Sequence, residues 1–167
     1  VELPIAIYNN PTRVGATVTP ESIVALKEAC PNFEVDKEAV PEPAHVIRVL
    51  ELAGDSISVF CCDNPGYGHL PTVVSLGDGM ANITGNLAPG AMAAVSQPLS
   101  ADTDLAAWRK NFFALMPLMR ASYSLTNPVV IKAAMDLTGY KMDPLRTPLQ
   151  YVSDHCDQDL KRLLDEH

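Results

Sequence analysis

The chain has 167 residues, of which 47% are apolar, and it carries a formal net charge of −8. This length is enough to bury the core of one ordinary domain. An acidic chain without a basic stripe argues against nucleic acid and membranes as partners, because both anionic surfaces bind clustered Lys and Arg. No apolar run approaches the roughly 18 residues that a membrane-spanning helix needs. We therefore expect a globular protein of the cytoplasm.

The four cysteines are too few for a disulfide scaffold in a chain of this size. Adjacent Cys61 and Cys62 lie in an apolar run, which predicts buried free thiols in a reducing compartment. The chain opens with Val1 and runs directly into an apolar strand, so we also expect the complete protein to have residues before it.

Strand and helix patterns alternate along the first part of the chain. Thr19 is the N-cap candidate of the first helix, and Gly54 closes the second. In chain order the pattern predicts strand 3–8, helix 20–29, strand 33–37, helix 44–53, strand 56–62, helix 70–76, strand 80–84 and a helix that opens at Pro89. Four such βα units imply parallel strands with right-handed crossovers.

After residue 102 the pattern predicts helices alone. The first, 105–123, is interrupted or kinked near Pro117. Helix 127–137 follows, with Gly139 as its C-cap candidate, and helix 148–164 is the last. We therefore divide the chain into residues 1–98, which form the βα part, and residues 99–167, which form a C-terminal helical extension.

Two α/β architectures fit four βα units: half of a (β/α)8 TIM barrel, or an open doubly wound sheet. A doubly wound nucleotide-binding sheet would want a glycine-rich phosphate loop after its first strand. Residues 8–15 have neither that glycine spacing nor a helix terminus placed to take a phosphate. Half of a barrel is the better interpretation.

Four sequence motifs follow one another along the chain. They are Tyr-Asn-x-Pro-x-Arg-x-Gly at 8–15, Lys-Glu-Ala at 37–39, Gly-Met-Ala-Asn-Ile-Thr-Gly-Asn at 79–86, and the C-terminal segments at 127–134, 139 and 146–149. Each motif is weak by itself, but together and in this order they resemble one family, the pyruvate-dependent, Schiff-base-forming lyases that include dihydrodipicolinate synthase and N-acetylneuraminate lyase. The resemblance covers nearly the whole chain. The resemblance implies that this chain holds barrel strands 5–8 and that the first four units are absent.

The residues themselves indicate which lysine could react. A lysine that attacks a carbonyl must shed its proton, and burial lowers lysine pKa from an ordinary value of about 10.4. The candidate must therefore end a buried strand, as Lys37 does, whereas Lys27 lies in mid-helix beside Glu28. Tyr8 lies one βα unit earlier, so the two side chains should come from neighbouring strand ends.

The resemblance assigns roles to these residues. Lys37 is the implied Schiff-base lysine, Tyr8 the proton relay and Arg13 the clamp for a substrate carboxylate. The implied pyruvate site also includes Gly79, Ala81 and Asn82. The implied reaction is aldol-type condensation of pyruvate with an aldehyde, or the reverse cleavage of a 2-oxo acid. The imine forms on the lysine, so no metal or separate cofactor is expected, and the C-terminal helices imply a homo-oligomer, either a dimer or a tetramer.

One residue departs from the family pattern: Asp36 stands before the lysine, where the family usually has an apolar or small residue. Adjacent strand residues face opposite ways, so Asp36 should face the helices if Lys37 faces inward. A charge there is costly unless it is paired. We therefore expect either that the strand ends before Asp36 or that this region is rearranged.

A half-barrel would expose two strand edges and an apolar face, so we expect this chain to pack against an N-terminal half, supplied by a second chain or by the uncut precursor. A different interpretation is a catalytically silent barrel fragment that serves assembly or binding. A third is an unrelated open α/β sheet, whose strand order would not be sequential.

Overall fold

The computed structural model describes residues 2–150 and 154–166 of the chain. They form two compact units. The first comprises Val1–Asn82 and Ser96–Ala101, and the second comprises Ile83–Val95 and Asp102–His167. Among the described residues, none of the helices is both long and apolar enough to cross a bilayer.

The first unit is built on a parallel sheet whose four strands follow the order β1-β2-β3-β4. The strands are β1 (Ile5–Asn9), β2 (Phe33–Glu38), β3 (Ser58–Cys61) and β4 (Gly79–Met80). Parallel pairing of consecutive strands is what the βα alternation predicts. The sequential order also contradicts the unrelated open sheet, which requires a different strand order.

Four helices connect the strands of this unit: α1 (Pro11–Val14), α2 (Pro20–Ala29), α3 (Pro43–Ala53) and α4 (His69–Leu76). Helix α2 begins as predicted, because the Thr19 hydroxyl accepts a hydrogen bond from the Ser22 backbone N–H at 3.2 Å. The apolar stripe of α3 is fully buried at Val46 and Val49. These side chains form the core together with Ile23, Phe33, Val59 and Val73.

One prediction for this unit is wrong, and one element was not predicted. Strand 80–84 is only Gly79–Met80, and a 3₁₀ turn at Thr84–Asn86 follows in the second unit. The residues involved explain the difference, since Asn82, Gly85 and Asn86 favour turns over strands. The single helical turn α1 was not predicted either; Pro11 begins it, and Gly15 ends it at a φ of 72°.

The second unit is helical: α5 (Pro89–Ser96, in this unit up to Val95), α6 (Leu105–Ser122), α7 (Val129–Leu137) and α8 (Asp154–Asp165). Asp104 caps α6, because its Oδ1 accepts the backbone N–H groups of Ala106 and Ala107 at 2.9 and 3.0 Å. The core of this unit includes Leu115, Leu118, Met119, Val130, Ala134 and Leu160.

Three helix predictions in this unit need correction. Helix α6 is not interrupted, because it continues through Pro117, and the buried Leu115, Leu118 and Met119 on either side hold the turn that the proline weakens. The kink that was the alternative stays a prediction. Helix α7 begins at Val129, and Gly139 lies just beyond its end with a φ of 91°. Residues 148–150 are not helical; the last helix begins at Asp154, and residues 151–153 of its predicted range lie outside the described residues.

Candidate active site

Four residues form a row across the sheet, one from each strand. Tyr8 pairs with Lys37, Lys37 with Phe60, and Phe60 with Gly79. Each is the next-to-last residue of its strand. Because side chains alternate along a strand and these residues are in register, the row lies on one face of the sheet at its carboxyl edge.

Lys37 and Tyr8 are in direct contact, as predicted from their spacing. The lysine Nζ lies 3.8 Å from the centroid of the Tyr8 ring. The Tyr8 hydroxyl accepts a hydrogen bond from Asn10 Nδ2 at 2.9 Å, and Asn10 Oδ1 accepts one from the Thr12 hydroxyl at 2.7 Å. Lys37 is half-buried. The phenol is thus fixed at one end by hydrogen bonds, while its ring face holds the amine.

Cys62 follows β3 and interacts electrostatically with Lys37. Its Sγ lies 3.6 Å from Nδ1 of His69, and both side chains are buried. Burial raises the pKa of the Cys62 thiol and lowers the pKa of the His69 imidazole. Both groups are therefore neutral near pH 7, so this pair does not form the thiolate–imidazolium couple of a cysteine nucleophile.

The opposite face of β2 carries two buried carboxyl groups, Asp36 and Glu38. Glu38 Oε1 accepts a hydrogen bond from Asn9 Nδ2 at 2.9 Å and lies 3.3 Å from Nε2 of His45 on α3. The expectation that the strand ends before Asp36, or is rearranged there, is wrong, because β2 continues through Asp36 in register with Ile7 and Val59. Burial, followed by the hydrogen bond and the charge of Glu38, raises the pKa of Asp36 to about 9.

The remaining predicted site residues follow the ends of β1 and β4. Arg13 is exposed in the last turn of α1, just beyond β1. Gly79 is buried in the row; a Cβ there would lie 2.6 Å from Cε1 of Phe60, so packing against that ring already requires glycine. The Ala81 backbone N–H donates to the Cys61 carbonyl at 2.9 Å, and the half-buried Asn82 follows it.

Sequence reasoning missed several contacts on the two faces of β2. Phe60 could have been found from the strand alternation, because its position in β3 matches that of Lys37 in β2. The contacts from Asn9 and His45 to Glu38 join residues 29 and 7 positions apart on three elements, and no sequence pattern marks them.

A family model described as the dihydrodipicolinate synthetase family matches residues 1–167. The chain belongs to this family. The resemblance that its motifs indicate is therefore confirmed.

Two curated members of the family, both named 4-hydroxy-tetrahydrodipicolinate synthase, illustrate the similarity. The protein from Methanoculleus marisnigri is 31% identical over 168 residues, which are 100% of this chain and 56% of that protein. The one from Methanosarcina mazei is 34% identical over 155 residues, or 92% of this chain and 52% of that protein. The chain thus spans about half the length of these relatives.

A solved dihydrodipicolinate synthase from Thermotoga maritima shares the fold. It is 29% identical to this chain, with a TM-score of 0.84 over 99% of this chain and 56% of its own. The parallel α/β sheet followed by helices is therefore the family's architecture, and the Lys37–Tyr8 contact lies within it.

Proposed function

We propose that this chain carries the Schiff-base site of a pyruvate-dependent aldolase of the dihydrodipicolinate synthase type. The observation that supports this proposal is the contact between Lys37 and Tyr8, in which a half-buried amine lies 3.8 Å from the centroid of a phenol ring at the carboxyl edge of a parallel sheet. Catalytic groups in barrel enzymes lie at this edge, where neighbouring strand ends converge.

The proposed chemistry begins with attack by the unprotonated amine of Lys37 on the ketone carbon of pyruvate. The carbinolamine that forms must then lose its hydroxyl as water, with a proton supplied to that oxygen. Tyr8 is the proposed donor, and Asn10, which donates a hydrogen bond to the phenol oxygen, orients it. The resulting imine gives the enamine that adds to an aldehyde, or the same steps run in reverse and cleave a 2-oxo acid.

Arg13 is the proposed clamp for a substrate carboxylate, because a guanidinium can bind both carboxylate oxygens. It is exposed on α1 immediately after the strand that carries Tyr8. Ala81 and Asn82 follow β4 and would line the pyruvate site from that side, while Gly79 contributes backbone beside Phe60.

We further propose that these strands are strands 5–8 of a (β/α)8 barrel and that the family's other half completes it. Two observations support this: the chain spans about half of its relatives, and β1 is an edge of the described sheet. Ile5 and Tyr8 on that edge have exposed fractions of 38% and 49%. An exposed apolar edge of this kind is normally paired or covered. A homo-oligomer is proposed through the helical unit, where Phe113 of α6 is 62% exposed.

Reductive trapping with pyruvate tests the proposed function. The protein is incubated with pyruvate and borohydride, digested, and mapped by mass spectrometry. We expect one pyruvyl adduct, on the peptide that contains Lys37, and we expect Lys37→Arg to abolish it because a guanidinium does not form the imine. Lys110→Arg, on the exposed surface of α6, is the matched control and should be trapped like the wild type.

An adduct spread over several exposed lysines, or an equal yield from Lys37→Arg, would rule out the proposed site. If the barrel is completed by the other half and Lys37 still takes up no label, the chain is a silent fragment that serves assembly.

A further inference from the structure

Asp36 and Glu38 lie two residues apart on β2, so both face the helices, on the side of the sheet opposite Lys37. Both are fully buried, with an exposed fraction of 0%. This arrangement places two carboxyl groups in an apolar layer directly behind the proposed Schiff-base residue.

Hydrogen-bond donors reach only one of the four carboxyl oxygens. Glu38 Oε1 receives Asn9 Nδ2 and faces His45 Nε2. Both oxygens of Asp36 and Oε2 of Glu38 are buried without such a partner. Two further titratable groups interact with this pair: His69 on α4 interacts with Glu38, and Cys61 on β3 interacts with both carboxyl groups. Burial, followed by the charges of Cys62, Glu38 and Asp36, raises the pKa of the Cys61 thiol.

Two ionised carboxylates in this layer would repel each other while three of their oxygens lacked a donor. Buried like charges of this kind retain a proton, and a protonated carboxyl gains an O–H donor. One proton between Asp36 and Glu38 therefore removes the second charge and supplies a hydrogen bond to an orphaned oxygen.

We propose that Asp36 is a neutral acid at physiological pH whose carboxyl O–H donates a hydrogen bond to Glu38, and that this pair is a positioning device that fixes the end of β2 carrying Lys37. The raised pKa of Asp36, about 9, agrees with this assignment. Ionisation of Asp36 would place a second charge next to Lys37 in the chain and loosen that strand end. For its effect on imine formation, the inference rests on the proposed function.

The pair makes stability depend on pH with a defined sign. The pKa of Asp36 is about 9 in the folded protein, against an ordinary value of 3.8. Between these values the folded state binds the extra proton, so stability falls as pH rises and levels off above about 9. Because the folded state binds one proton more than the unfolded state, the folding equilibrium constant falls tenfold for each unit by which the pH rises.

Urea unfolding at pH values from about 7.5 to about 9 measures this dependence, because in this range His69, whose pKa is lowered by burial, is neutral in both states. We expect Asp36→Asn to remove the tenfold-per-unit slope, because the amide is neutral at every pH and can still donate to Glu38. Glu38→Gln should lower the pH at which stability stops falling, since it removes the carboxylate that raises the pKa of Asp36. Asp55→Asn, at an exposed position, is the matched control and should keep the wild-type slope.

Infrared spectroscopy provides a readout that does not depend on catalysis or unfolding. The folded wild type at pH 7 should show the carbonyl band of a protonated carboxyl group, and Asp36→Asn should lack it. If the wild type lacks the band, or if Asp36→Asn keeps the wild-type slope, the shared proton is disproved. Should either variant fail to fold, the band in the wild type decides alone.

Trapping with pyruvate separates this inference from the proposed function. Trapping at Lys37 should decline in the wild type as Asp36 ionises, and Asp36→Asn should lack that component of the pH profile. If no label reaches Lys37 while the carboxyl band is present, the proposed function fails and the shared proton stands. If both variants label with the wild-type pH profile, the positioning role is overturned.

Discussion

The ring and the hydroxyl of Tyr8 make different contacts, one with Lys37 and one with Asn10. The ring face contacts Nζ of Lys37, which lies 3.8 Å from the ring centroid, and the hydroxyl accepts a hydrogen bond from Asn10 at 2.9 Å. Packing and the proposed proton transfer therefore involve separate parts of the same side chain. A substitution that removes only the hydroxyl can separate them.

We expect Tyr8→Phe to retain the fold and the ring contact but to lose the proposed proton donor. General acid–base groups contribute about 10²–10⁴-fold to rate, so the initial rate of borohydride-trapped imine should fall by a factor in that range. Tyr140→Phe, at a tyrosine that is 64% exposed, is the control and should leave the rate unchanged. An unchanged rate in Tyr8→Phe would show that the proton comes from another group.

At the residue scale, the sequence predicted the Lys37–Tyr8 pair because one βα unit separates neighbouring strand ends. Alternation also placed Asp36 toward the helices if Lys37 faced inward, but the expectation drawn from this, that the strand ends or is rearranged there, is wrong. The state of that carboxyl could not be predicted, because it depends on Glu38 and on the lack of donors in a layer assembled from several elements. The alternation gives the direction of a side chain but not the partners that it meets.

At the scale of elements, β3 and β4 are joined by a close contact that explains Gly79. A Cβ at this position would lie 2.6 Å from Cε1 and 2.9 Å from Cδ1 of Phe60. Both atoms belong to one ring in a half-buried position beside Lys37. A larger residue would therefore move the ring or the short strand β4.

We expect Gly79→Ala to lower the free energy of unfolding by about 1–3 kcal/mol, because overpacking forces such shifts. Urea unfolding measures the loss. The added substitution Phe60→Leu should recover part of the lost stability, because it removes the ring atoms that clash with the new Cβ. Gly90→Ala is the control, since its Cβ would meet nothing within 4 Å and alanine is favoured in a helix. A Gly79→Ala protein as stable as the wild type would contradict the packing explanation.

Elements with strong local signals were the most predictable. Helix α2 has a capping threonine, a proline at its first position and a long apolar pattern, and its predicted bounds match the structure. Short elements carry little pattern: α1 is one turn long, and β4 has only two residues. Their conformations depend on the neighbouring strands and helices, which local sequence does not report.

At the scale of the whole molecule, the sheet order leaves β1 and β4 as the two edges of the described sheet. Strand β1 is the more exposed: of its five residues, only Asn9 is buried. An edge strand with apolar side chains pairs readily with another strand. In our proposal the other half of the barrel takes this position, and in its absence the same edge is available to a second copy.

We expect this chain by itself to associate as its concentration rises, and Ile5→Lys to reduce that association because a charge on an edge strand opposes pairing. Sedimentation velocity over a concentration series measures the effect. Val14→Lys is the matched control; Val14 is 68% exposed but belongs to helix α1 and not to the edge strand, so association should persist. If the wild-type chain stays monomeric, or if both variants lower association equally, β1 is not the strand through which the chain associates. The exposed edge would then no longer support the proposal that the other half of a barrel pairs with β1.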